Sequence, residues 1–231
     1  MVHRSGMKLL LALLLILPLS LSAAQEHVIL VGGPALRSWE KQRVPKDQHD
    51  RWWANFVHAS SMRTDELRKT YGPGAKVIWM VHKNSYAKRG REDGKPYLKW
   101  IGEQARKRGV QLMWVDGNKS IIRALNARPR RSVLTFDFFG HSNKHCLLLD
   151  YSSDIIGASS AWLHEKDLAR IHRTIFKSNA YCKSWGCHSG ESMNSYWRAA
   201  FGVKLIGAKG KTDYSALSNG RMPTVNGSWV Q

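Results

Sequence analysis

Two residues suited to nucleophile and base chemistry stand at the ends of apolar runs in this 231-residue chain. The run "SVLTFDFFG" leads straight into His141, Ser142 and Asn143, and "AYCKSWG" leads straight into Cys187, His188, Ser189 and Gly190. Runs of this composition are expected to be strands, and in open α/β sheets ligands bind beyond the carboxyl ends of strands. If the two strands are parallel neighbours, the thiol and the imidazole emerge side by side as a nucleophile and its base. A helix starting near Ser189 would set its positive end beside the Cys187 sulfur and favour the thiolate. Gly186 and Gly190 let backbone approach a substrate closely, and the amides near Cys187 are candidates for stabilising an oxyanion.

Other chemistries compete for the same residues. "G-H-S-N-K" at 140–144 shares part of the G-x-S-x-G nucleophile elbow, which would make Ser142 the nucleophile of an α/β-hydrolase-like serine esterase. The closing glycine is missing, and residues 145–153 look like hairpin or loop where the elbow needs a helix. "C-K-S-W-G-C-H" at 182–188 is a stretched form of a haem-attachment motif, with four residues between the cysteines instead of two. His141, His145 and Cys146, with Cys187 or His188, form a possible zinc set that overlaps the thiol–imidazole pair. A buried thiol and a satisfied histidine in a non-catalytic binding protein is the remaining alternative.

The elements that must position these residues alternate in type. Strands are expected over His27–Val31, Lys76–Val81, Val110–Val115, Ser132–Phe139, Ala180–Trp185 and Lys204–Ala208, and helices at about 47–71, 97–108, 119–127, 164–177 and 191–201. Near-continuous hydrophobicity suggests strands buried on both faces. The expectation is therefore a three-layer α/β/α domain with a mostly parallel sheet of about six strands. Asp137 alternates within the fourth strand and reads as a buried structural carboxylate. Residues 83–95, rich in charge, read as a solvated loop, the tail from Asn219 as coil, and most of the ten tryptophans as core. Cys182 and Cys187 should not be bridged, since five extended residues span roughly 16 Å and a disulfide needs Cα atoms within about 7 Å.

An apolar strand ending in His plus a small residue, a hairpin, a short helix, then an apolar strand ending in Cys and Ser-Gly resembles the caspase-like cysteine peptidases. That superfamily includes metacaspases, gingipains, legumains and CHAT peptidases. The matching stretch is "FFGHSNKHCLLLDYSSDIIGASSAWLHEKDLARIHRTIFKSNAYCKSWGCHSGES", with "LLLDYS" as the hairpin and "SSAWLHEKDLARI" as the helix. The resemblance implies that Cys187 attacks a peptide carbonyl while His141 handles the proton of the leaving amine, with no cofactor and no metal. Ser142, Gly186 and His188 would then surround the oxyanion and substrate, and "LIGAKGKTDYS", with Asp213 and Ser215, would help line the specificity pocket. The sequence departs from the family at Ser142, where a glycine usually follows the histidine, and at Gly186, where Ala or Ser usually precedes the cysteine.

Residues 1–24 look like a cleavable signal peptide: Arg4 and Lys8, an apolar run Leu9–Leu17, then small residues through Ala24. The expected mature protein is exported, forms one domain over 27–218, and has no later segment apolar enough to span a membrane. The formal charge is +19, or +17 without Arg4 and Lys8. Such a field favours an anionic cell-surface polymer as an accessory partner, alongside a peptide or protein substrate. No nucleic-acid-binding module is recognisable.

Overall fold

Buried β-branched and aromatic residues run without a break through the central strands, which only a sheet covered on both faces permits. The computed structural model describes residues 24–45, 48 and 50–231, so nearly all of the expected signal segment lies outside it. In chain order the elements are β1 (Glu26–Val31), α1 (Arg37–Gln42), α2 (Asn55–Tyr71), β2 (Lys76–His82), α3 (Lys83–Asp93), α4 (Tyr97–Lys107), β3 (Gln111–Val115) and α5 (Asn118–Asn126). Beyond α5 come β4 (Val133–Phe139), β5 (His141–Ser142), β6 (Cys146–Leu148), β7 (Trp162–His164), β8 (Phe176–Ser184), α6 (Met193–Phe201), β9 (Leu205–Lys209), β10 (Thr212–Asp213), β11 (Thr224–Val225) and β12 (Ser228–Val230).

Seven strands form the central sheet in the order β12-β9-β8-β4-β1-β2-β3, all parallel except β12. One face packs Val28, Leu30, Met80, Phe136 and Phe138 against Ile121 and Leu125 of α5 and Met193, Trp197 and Phe201 of α6. The other packs Ile29, Val31, Trp79 and Val81 against Phe56, Val57 and Leu67 of α2 and Ile101 and Ala105 of α4. The fold is thus the expected three-layer α/β/α arrangement. Strand order reverses between β1 and β4, and a crevice at the carboxyl ends of strands flanking such a reversal is where ligands bind in open α/β sheets.

Several local expectations are overturned. Residues 83–93 are helix α3, with Lys83, Arg91 and Glu92 exposed but Arg89 and Asp93 paired inside the protein. Arg89, 1% exposed, donates to Asp93 at 2.8 Å and to the Ala35 carbonyl at 2.7 Å. Tyr86 donates to the Gly32 carbonyl at 2.9 Å. α3 therefore ties down the segment after β1. The expected helix over 164–177 is β7 and then two short 3₁₀ turns, Glu165–Arg170 and Arg173–Ile175. Its apolar stripe of Leu168, Ile171 and Ile175 is nonetheless buried. The tail read as coil carries β11 and β12, and β12 adds an antiparallel edge to β9. Of the ten tryptophans, Trp79, Trp185 and Trp197 are buried, while Trp52 and Trp162 are exposed. No helix among the described residues is long and apolar enough to cross a membrane.

Candidate functional site

β4 and β8 are adjacent and parallel, with Phe136 opposite Cys182 and Phe138 opposite Ser184, so both strands end at the same level. The chain just past these two ends converges on one place: His141, one residue beyond Gly140, and Cys187, three residues beyond Ser184, line one cavity of about 300 Å³. Asp50, Arg51, Trp52, Asn55, Phe56, Lys211, Thr212, Asp213, Tyr214 and Ser215 are among the other lining residues.

His141 is fixed from three sides. The Asp50 carboxylate lies 2.7 Å from its Nε2, and the rings of Phe56 and Tyr151 stand edge-on to it at 5.1 and 4.6 Å. Asp50 is buried and also accepts the Ala35 N–H at 2.7 Å, while its own N–H donates to Glu40 at 2.8 Å. Burial alone would raise the Asp50 carboxyl, but His141 and the Ala35 amide outweigh it and hold the group below the ordinary carboxylate range. A carboxylate on Nε2 favours the tautomer with the proton there, which leaves the Nδ1 lone pair as the basic atom.

The Cys187 sulfur takes the Thr212 N–H at 3.3 Å and lies 3.3 Å from the Thr212 hydroxyl. Its hydrogen bonds run to these groups and not to the imidazole. The expected helix at Ser189 is absent: residues 187–192 are turn, α6 begins at Met193, and the Met193 N–H donates to the Lys144 carbonyl. The turn is fastened instead to β9, with the Ala208 N–H donating to Ser189 Oγ at 3.4 Å and the Gly190 N–H to the Ala208 carbonyl at 2.9 Å. His188 has a left-handed backbone, φ 59°, unusual for a residue with a Cβ and a mark of local strain next to the candidate nucleophile.

The remaining expected site residues divide. Ser142 is buried in the β5–β6 hairpin, and its hydroxyl donates to the Cys187 carbonyl at 2.5 Å. A hairpin after Ser142 is incompatible with a serine elbow, which requires a helix. Gly186 is needed for this contact, since a Cβ there would fall 2.2 Å from Ser142 Oγ and 3.0 Å from the Gly140 carbonyl. Asp213 and Ser215 do line the cavity, but the Asp213 carboxylate is occupied by the Ser215 N–H and hydroxyl, both at 2.8 Å. His188 turns away to Glu191, at 2.6 Å, and does not line the cavity.

Cys146, Cys182 and Cys187 are all free, so Cys182 and Cys187 are not bridged. Burial pushes the Cys146 thiol up and the Cys182 thiol far up. Only Cys187 reaches the cavity. The zinc set does not assemble: His145 pairs with Glu165 at 3.0 Å, and among the described residues no three His, Cys, Asp or Glu side chains are grouped to hold a metal. Asp50 was not foreseen, and Thr212 was foreseen only as part of the pocket-lining stretch "LIGAKGKTDYS", with no contact to Cys187 assigned. Asp50 and Thr212 lie 91 and 25 residues from the side chains they contact.

No family model, no curated protein and no solved structure matches the chain.

Proposed function

We propose that the protein is an exported cysteine endopeptidase in which Cys187 is the nucleophile, His141 the general base and acid, and Asp50 the group that orients His141. One observation carries this reading: the only cysteine on the cavity shares it with a histidine whose Nε2 is held by a buried carboxylate 2.7 Å away. A base oriented by a third group is one half of the nucleophile–base–orienter arrangement that activates a thiol, and it supports this reading.

In the proposed reaction, substrate binding brings sulfur and Nδ1 together, as catalytic hydrogen bonds commonly tighten only in the complex. His141 Nδ1 takes the thiol proton, and the sulfur forms a bond to the scissile carbonyl carbon, whose π electrons move to oxygen. In this reading the Thr212 hydroxyl, 3.3 Å from the sulfur, is the candidate donor to that oxyanion. Collapse of the adduct breaks the C–N bond, and the amine leaves with the proton from His141. Water then attacks the thioester carbon while His141 takes its proton; the C–S bond breaks, the acid product leaves, and His141 returns the proton to the Cys187 sulfur. Asp50 keeps the imidazolium stable throughout without itself being protonated.

The chain lacking residues 1–24 should cleave members of a random peptide library, and Cys187→Ala and His141→Ala should each abolish cleavage. Full activity in Cys187→Ala would refute the assignment.

A further inference from the structure

A second concavity of about 310 Å³ adjoins the first, and Trp52 lines both. Its apolar walls are Trp52, Trp53, Val57, Trp100 and Ile101, and polar side chains including Gln104 and Arg108 also line it. The aromatic wall is rigid: Trp53 stacks on Tyr97 at 3.9 Å with planes 11° apart, and Trp100 leans on both at 5.9 and 5.5 Å. Trp52, the shared partition, is 44% exposed, and its ring is propped 5.0 Å from that of His58. Solvent-facing tryptophans held in fixed positions offer apolar area that needs no further ordering to bind.

The first turn of α2 links this groove to the chemistry. Phe56 packs on the His141 ring, and its neighbour Val57 lines the groove. An extended peptide advances about 3.3 Å per residue, so a chain lying across Cys187 carries a side chain into the groove within a few residues of the scissile bond. Among the described residues, no Asp or Glu lines the groove. That disfavours a basic side chain.

We propose that the Trp52–Trp53–Trp100 groove is a specificity subsite that takes an apolar, preferentially aromatic, side chain of the peptide flanking the scissile bond. The inference rests on the peptidase reading, and its test separates the two. Fluorescently labelled peptides carrying Phe, Trp, Leu, Ala, Lys or Glu at each flanking position are titrated onto the Cys187→Ala chain, with and without Trp100→Ala or Trp100→Phe, while the same unlabelled set is offered to the Cys187 protein for cleavage. Peptides with Phe or Trp at one position should bind roughly 10- to 100-fold more tightly than the Ala peptide. Trp100→Ala should remove that preference and Trp100→Phe should retain most of it, with circular dichroism confirming that both variants are folded. In cleavage the same preference should appear in KM more than in kcat. Binding with this preference but without cleavage by the Cys187 protein would keep the subsite and overturn the peptidase reading. Cleavage or binding indifferent to the flanking residue and to Trp100→Ala would overturn the subsite alone. No peptide binding, or tighter binding of chitooligosaccharides that depends on Trp100, would overturn it as well.

Discussion

Asp50 and Asp137 are both buried carboxylates beside a cationic or titratable partner, and they do opposite things. Asp137, inside β4, receives Arg63 Nε at 3.0 Å and Trp185 Nε1 at 3.0 Å and lines neither concavity. Its partners keep their protons at any ordinary pH, so the cluster can only hold α2 to the sheet. Asp50 lies in the loop before α2 and pairs with a histidine, which can give up its proton and whose ring borders open space. A buried carboxylate becomes chemically useful where its partner can titrate and has a second face exposed to a ligand.

The sharpest way to break this comparison is to make the same substitution at both positions. Asp50→Asn should lower kcat on the order of 10²- to 10⁴-fold, since it releases the His141 tautomer, and should also cost some stability, since the carboxylate accepts from Ala35 and pairs with His141. Asp137→Asn should remove one of the two carboxylates on Arg63, the other being Glu66 at 3.0 Å, lowering stability by about 1–3 kcal/mol while sparing the kcat of the folded fraction. Urea unfolding and kcat measured on both variants decide it, and equal loss of activity in the two would contradict the division.

Acid should act on the Asp137 region first. His27 is buried on β1, and burial together with nearby Arg63 pushes it from 6.5 down to about 4. Between those values the unfolded chain takes up a proton that the folded chain refuses. Stability is therefore intact above pH 6.5 and falls as pH drops through 4, by on the order of 3 kcal/mol from this group. His27→Gln should flatten part of the slope in a series of urea midpoints. His82 and His58, also lowered by burial, add in the same direction.

The smallest expected change concerns the backbone under the nucleophile. Gly186→Ala forces Ser142 off the Cys187 carbonyl and should cost about 1–3 kcal/mol of stability. It should also slow Cys187 alkylation, because the turn that presents the sulfur shifts. Unchanged stability and alkylation would mean that the Ser142 contact positions nothing.

Much of the scaffold was legible in the sequence, since buried parallel strands are continuous apolar runs and β4 and β8 end in residues that stand out. The order His141 before Cys187 on neighbouring strands came from the same signal. α3 was not legible, because charge composition does not say whether Arg89 meets water or Asp93. Residues 164–177 carried helical spacing, yet their apolar side chains are buried from 3₁₀ turns, so periodicity recovered burial and missed conformation. β11 and β12 have two and three residues and depend on a partner strand for their existence. Asp50 is the largest omission: it contacts His141 across 91 residues of sequence, and nothing local to "KDQHDRWW" marks it.

The most direct test of the thiol–imidazole–carboxylate assignment is site-resolved alkylation with iodoacetamide at pH 6 to 7. Burial alone will shield Cys146 and Cys182, so the informative comparison is Cys187 in the folded protein against Cys187 in the urea-unfolded chain. Cys187 should react at least about 10-fold faster when folded, and His141→Ala and Asp50→Asn should each remove most of that advantage. A Cys187 that reacts no faster folded than unfolded, or that is indifferent to both substitutions, would contradict the account.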